Sequence, residues 1–134
     1  MRRFLFLAIA AGMYLLSCTA GNTVRDTPGD EGWLDESTFR AIGIGYPDPY
    51  DTTRDAKRKS ALRAAREIAL AAIELALTKN MNTDNALRMR TFIQTNAAVV
   101  KHMDHEDGHI EIMLEIYQTG LRSIVISGNA GALP

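Results

Sequence analysis

The segment Lys101-His102-Met103-Asp104-His105-Glu106-Asp107-Gly108-His109-Ile110-Glu111 holds all three histidines of the chain and four carboxylates. Imidazole nitrogens and carboxylate oxygens suit a divalent transition metal such as zinc, copper or nickel. His102, His105 and His109 are therefore candidate metal ligands. Asp107-Gly108 is a favoured two-residue hairpin turn. A turn centred there puts His102, Asp104, His109 and Glu111 on the face opposite Ile110 and Ile112. A four-residue loop would keep that face, because the shift is even. The spacing matches no specific metal motif. The same composition also makes a charged, solvated tip that keeps a sheet edge from aggregating.

A second set is cationic. Arg54, Lys57, Arg58, Lys59, Arg63 and Arg66 lie on the first turns of one predicted helix. Cations there oppose the helix dipole, and Asp48, Asp51 and Asp55 offset them locally. Arg58, Arg63 and Arg66 could meet anionic lipid headgroups or an acidic partner. An ordinary solvated helix face would carry the same charges. No other chemistry stands out. Gly43-x-Gly45 lacks the third glycine of a dinucleotide loop, and Tyr46-Pro47 follows where a helix should start. Ser37, Ser60, Ser123 and Ser127 sit in no nucleophile motif. No catalytic residue and no enzymatic activity is expected.

The third chemical feature is the single cysteine. Arg2 and Arg3 precede an apolar run from Phe4 to Leu16, closed by Ser17-Cys18. This is the three-part plan of an export signal. The run falls short of the roughly 20 apolar residues that a spanning helix needs. Its ending resembles the lipobox of bacterial lipoproteins. That resemblance implies a diacylglycerol thioether on Cys18, which becomes the mature N-terminus. Thr19, where an aspartate would retain a lipoprotein at the inner membrane, implies the outer membrane. Acyl chains contribute about 0.8 kcal/mol per buried CH₂, and two or more hold a protein stably on a bilayer. Cleavage after residue 17 would leave 117 residues with 13 basic and 16 acidic side chains, a net charge of −3. That mild acidity, export and the absence of interleaved aromatics argue against nucleic-acid binding. With one cysteine, no intrachain disulfide can staple the fold.

These residues need elements to position them. Residues 18–37, rich in Gly, Pro, Asn and Asp, read as a tether, with Trp33 and Leu34 its only bulky apolar pair. Thr38 to Tyr46 alternates as a strand, with Ile42, Ile44 and Tyr46 on one face and Phe39, Ala41, Gly43 and Gly45 on the other. Thr53 to about Lys79 carries eight alanines and six larger aliphatics, a strong helix pattern. Ala61, Ala65, Ile68, Ala72 and Leu75 form one i, i+3/i+4 stripe. Small residues on this helix match the small residues of the strand, so Gly43 and Gly45 are expected to receive it. Leu62, Ile68, Ala72 and Ile112 are predicted core. Thr83 or Asp84 could cap a second, short helix through about Gln94, with Leu87, Phe92 and Ile93 inward, although Arg88-Met89-Arg90 also fits a strand. Ala97–Asp104 and His109–Tyr117 form the hairpin. Leu121–Ser127 could add a fourth strand or close the edge, and residues 128–134 read as a frayed tail. The expected fold is α+β: a small antiparallel sheet of three to four strands on one long Ala-rich helix, in a single domain over 38–127.

Ala41-x-Gly43-x-Gly45, the helix with Ala64-Ala65-Arg66 and Ala69, and the hairpin with Asp107-Gly108 resemble the LPP-twenty lipoprotein family. They are also similar to the N-terminal domain of flagellar assembly protein T. The resemblance covers roughly residues 38–120. It implies an envelope lipoprotein with a compact α+β domain, in some relatives linked to flagellar or surface structures, and it carries no catalytic residues.

One packing question stays open. Between Ile68 and Leu77 only Glu74 is charged, so that half-helix must be buried on more than one side. The strand face of Ile42, Ile44 and Tyr46 also needs cover. Either an envelope partner or a second copy of the chain buries Ile42, Ile44 and Ile73, or the second helix and C-terminal segment do.

Overall fold

The computed structural model describes residues 31–134. Cys18, the export signal and most of the predicted tether lie outside them. The elements run β1 (Gly32–Trp33), β2 (Thr38–Gly45), α1 (Arg54–Thr78), α2 (Thr83–Asn96), β3 (Ala98–Asp104), β4 (Ile110–Tyr117) and α3 (Leu121–Ser127), then a 3₁₀ turn at Ala130–Ala132. The fold is α+β. All four strands pair antiparallel in the order β1-β2-β4-β3.

The long helix forms as its composition dictates. Thr53 caps α1, its hydroxyl accepting the Ala56 N–H at 3.1 Å, which satisfies one of the orphan donors of the first turn. Its buried stripe is Ala61, Ala65, Ala69, Ile73 and Leu77. This differs from the predicted stripe after Ala65. Ile68 is 49% exposed and Leu75 74% exposed, and Leu62 and Ala72 are only partly buried. The cause is the partner strand. Backbone must meet backbone where α1 crosses β2, so alanines occupy the crossing and the larger side chains stand off it. A Cβ on Gly43 would sit 1.8 Å from the Ala65 carbonyl oxygen, and one on Gly45 2.0 Å from that of Ala61. Only glycine allows this approach.

Ile73, expected at an interface, is completely buried in the core with Leu77, Met89, Ile93, Ile112 and Leu114. It offers nothing to a partner. The apolar half of α1 is covered partly by α2, as Glu74 reaches Gln94 and Arg90 across the helix pair. Asn82, rather than Thr83 or Asp84, caps α2 by accepting the Asn85 N–H at 2.9 Å. Helix wins over strand through residues 88–90 because Met89, Phe92 and Ile93 at i, i+3, i+4 face inward, which leaves Leu87 63% exposed.

Leu121–Ser127 is helical and adds no strand. Leu121, Ile124 and Val125 repeat at three and four residues and are buried, and glycines with positive φ, Gly120 at 69° and Gly128 at 66°, bracket the segment. The fourth strand is β1. Trp33 packs edge-on to Phe39, with ring centroids 5.2 Å apart, so the folded region begins before residue 38. It also extends past residue 127, because Ala130 is buried and Leu133 packs against the core.

Candidate functional site

The hairpin between β3 and β4 determines where the histidines go. His105 N–H donates to the His109 carbonyl, and Gly108 N–H donates to the His105 carbonyl, both at 3.0 Å. The turn therefore has three residues, Glu106, Asp107 and Gly108, and Gly108 adopts φ 89°. This is the three-residue hairpin closed by a glycine bulge. The predicted loops held two or four residues. An odd loop moves the pairing by one residue and flips every β3 side chain to the opposite face.

The register records the flip. His102 pairs with Ile112, Met103 with Glu111 and Asp104 with Ile110. His102 and Asp104 thus share the face of Ile110 and Ile112, the side on which α1 lies. There Arg58 Nε donates to Asp104 Oδ2 at 3.0 Å, and His102 Nε2 donates to Asp104 Oδ1 at 2.7 Å. The hydrogen bond from Arg58 is the main reason the Asp104 carboxyl is held below its ordinary range; burial opposes it, and the His102 bond adds to the lowering. Asp104 therefore clips the hairpin to the start of α1.

His105 and His109 lie on the other face. Their rings stack with centroids 4.0 Å apart and planes 11° from parallel. The Tyr46 ring is 5.4 Å from His109, so Tyr46, His109 and His105 make one row just beyond the ends of three strands. Glu111 Oε2 lies 3.9 Å from His105 Nε2. The Asp107 carboxylate accepts from His109 Nδ1 and, at 3.3 Å, from the His109 N–H. Burial pushes the Asp107 carboxyl up, but these bonds outweigh it and hold it below its ordinary range. An ionised carboxylate only accepts, so Nδ1 carries the proton, and in the neutral ring Nε2 keeps its lone pair. The structure thus brings His105 and His109 together and separates His102 from them. Among the described residues, no three His, Cys, Asp or Glu side chains are placed, as they stand, so that together they could hold a metal ion.

The cations of α1 stay at the surface. Arg63 and Arg66 are exposed, with no carboxylate in ion-pair range among the described residues. Arg54, Lys57 and Arg58 line a cleft of about 600 Å³ with Asp48, Asp104 and the hairpin tip. Acids and bases alternate around that cleft, so it presents no single sign of charge.

The sheet face opposite α1 is uncovered by any described element. It carries Arg40, Ile42 and Ile44 from β2, Glu111, Glu115, Tyr117 and the buried Met113 from β4, and Tyr46 and His109 just beyond the ends of those strands. Ile44 is 42% exposed and Tyr46 and Tyr117 are each 65% exposed, whereas Ile42 is half-buried. Arg40 binds Glu115 through Nε, 2.8 Å from Oε1, and through Nη2. Sequence reasoning placed Glu111 on one face with His109 and His102, put His105 in the turn, and left Tyr46 unconnected to the histidines. The parity of the turn was the missing information. No family model, curated protein or solved structure matches this chain.

Proposed function

We propose that this chain is a lipid-anchored protein of the bacterial cell envelope. Cys18 attaches it to the outer membrane, and its domain plays a structural or interaction role in envelope or flagellar assembly, with no catalysis. The anchor reading rests on the sequence from Arg2 to Cys18. The interaction reading rests on the open sheet face, where Ile44, Tyr46 and Tyr117 are exposed beside the paired Arg40 and Glu115. A surface of that kind can be covered without burying unpaired Arg40 or Glu115, and burying an unpaired charge is what makes polar interfaces costly. The partner is an envelope protein that presents an apolar, aromatic-tolerant surface. The basic side of α1, with Arg63 and Arg66, is a secondary contact for acidic groups.

Growth of a producing strain with labelled palmitate tests the anchor. Label on the wild-type chain and none on Cys18→Ala is expected, and an unlabelled wild type refutes it. A photo-crosslinker at position 46 in intact cells tests the face. Adducts with envelope or flagellar assembly proteins support the reading. Adducts only with a second copy of the chain would replace that partner by a homo-oligomer.

A further inference from the structure

We infer that the open face of the hairpin tip is a binding site for a divalent late-transition-metal ion, zinc or copper(II), with His105, His109 and Glu111 as ligands and Asp107 behind His109. This ligand set differs from the three histidines read from sequence, because the odd turn puts His102 on the opposite face and brings His105 onto the face that His109 and Glu111 share. It stands on the hairpin geometry and is independent of the lipid anchor.

The donors have suitable chemistry and a common approach direction. His105 and His109 are directly opposed across the hairpin and project from the same face. Glu111, two residues beyond His109 on β4, points the same way and places Oε2 3.9 Å from His105 Nε2. Ligand atoms about 2.0–2.2 Å from a tetrahedral zinc are about 3.4 Å from one another. The His105–Glu111 gap therefore needs to close by only about 0.5 Å for both to share one ion. His109 is already prepared for ligation: the Asp107 carboxylate holds its Nδ1–H, so Nε2 is the free donor. A carboxylate behind a ligating imidazole fixes the tautomer and raises its basicity.

The ring stack holds the imidazoles parallel at 4.0 Å, so their nitrogens do not yet converge on one point. Binding slides the rings apart so that both nitrogens converge on the ion. Both rings are at least partly accessible, with side-chain exposures of 38% for His105 and 19% for His109. Three protein ligands leave a fourth position for water or a partner's side chain.

The test uses the full chain without a histidine tag, carrying Cys18→Ser so that no thiol binds metal, titrated with zinc alone and in parallel with copper(II). A one-to-one complex at micromolar metal is expected. His105→Ala, His109→Ala and Glu111→Gln should each weaken it by at least about 10-fold, and Asp107→Asn by about 10-fold. His102→Ala should leave affinity unchanged, because that ring lies on the opposite sheet face. Circular dichroism confirms that each variant is folded; should one of the alanine variants not fold, His105→Gln and His109→Gln stand in for it. No heat of binding by the folded parent at micromolar metal overturns the site. So does a His102→Ala loss equal to that of His105→Ala. Because Cys18→Ser removes any lipid, the outcome is independent of whether the anchor reading holds.

Discussion

A β-carbon at position 43 has nowhere to go. The Ala65 carbonyl oxygen would be 1.8 Å away, and the Ala65 carbon and Ala69 nitrogen are within 2.9 Å. All three are backbone atoms, so no rotamer change relieves the clash; the helix itself must lift. Overpacking a tight core typically costs 1–3 kcal/mol even when side chains can adjust, and here they cannot. Gly43→Ala should therefore destabilise the domain by at least ~3 kcal/mol, read as a lowered urea midpoint. Gly45→Ala should behave alike, because its Cβ would meet the Ala61 carbonyl oxygen. A control on the same strand but on its open face, Ile44→Ala, should cost far less, since Ile44 packs under no helix. This pair of glycines was legible from sequence. Two glycines inside a strand, opposite an alanine-rich helix, have few explanations other than close backbone approach.

At the scale of elements, the sequence was readable where a position had one physical solution and unreadable where two solutions had similar patterns. The α1 boundaries followed from local chemistry to within a residue at each end. Its buried side did not, because a helix apolar nearly all round from Ile68 to Leu77 gives no direction. The choice between Ile68-Ala72-Leu75 and Ala69-Ile73-Leu77 was made by β2, through the alanines its glycines admit. The consequence can be measured. Ile73→Lys puts a charge into a fully buried site and should unfold the domain or cost about 4 kcal/mol or more. Leu75→Lys, on the 74% exposed side of the same helix, should change stability by no more than about 0.5 kcal/mol. Thermal melts of the two variants distinguish the observed stripe from the sequence-derived one, which requires the reverse order. The histidine hairpin failed for a similar reason. Asp107-Gly108 fits a two-residue turn and the last two positions of a three-residue turn equally well. The choice between them leaves no mark in the hydrophobic pattern, because β3 is exposed or half-buried along its whole length. Ile110, Ile112 and Leu114 fix β4. On β3, Val99 pairs with Leu114 only because a bulge before Lys101 resets the phase.

The whole molecule has two unlike sides. One side of the sheet is closed by α1, with α2 packed against that helix, and there the apolar residues are buried with no unsatisfied polar side-chain atom among the described residues. On the other side Ile44, Tyr46 and Tyr117 face water beside the Arg40–Glu115 ion pair. A layered domain ordinarily buries both faces of such a sheet or makes the second one polar. This second face is neither covered nor fully polar, and that asymmetry is what the proposed interaction role depends on. It follows that a charge at Ile44 should separate folding from function. Ile44→Asp removes no core contact and places an acid beside Glu111, its cross-strand partner in the β2–β4 register. Like charges directly opposite on a sheet cost less than about 1 kcal/mol, which the domain should tolerate as a small fall in melting temperature. Covering that face, by contrast, would bury the new carboxylate beside Glu111 with no added cation and abolish association. In cells, crosslinked adducts from a probe at position 46 should disappear in Ile44→Asp while the chain accumulates at wild-type level. Ile44→Val, which keeps the face apolar, should retain them. Adducts that survive Ile44→Asp undiminished would place the contact elsewhere, with the exposed Arg63 and Arg66 of α1 the next surface to probe.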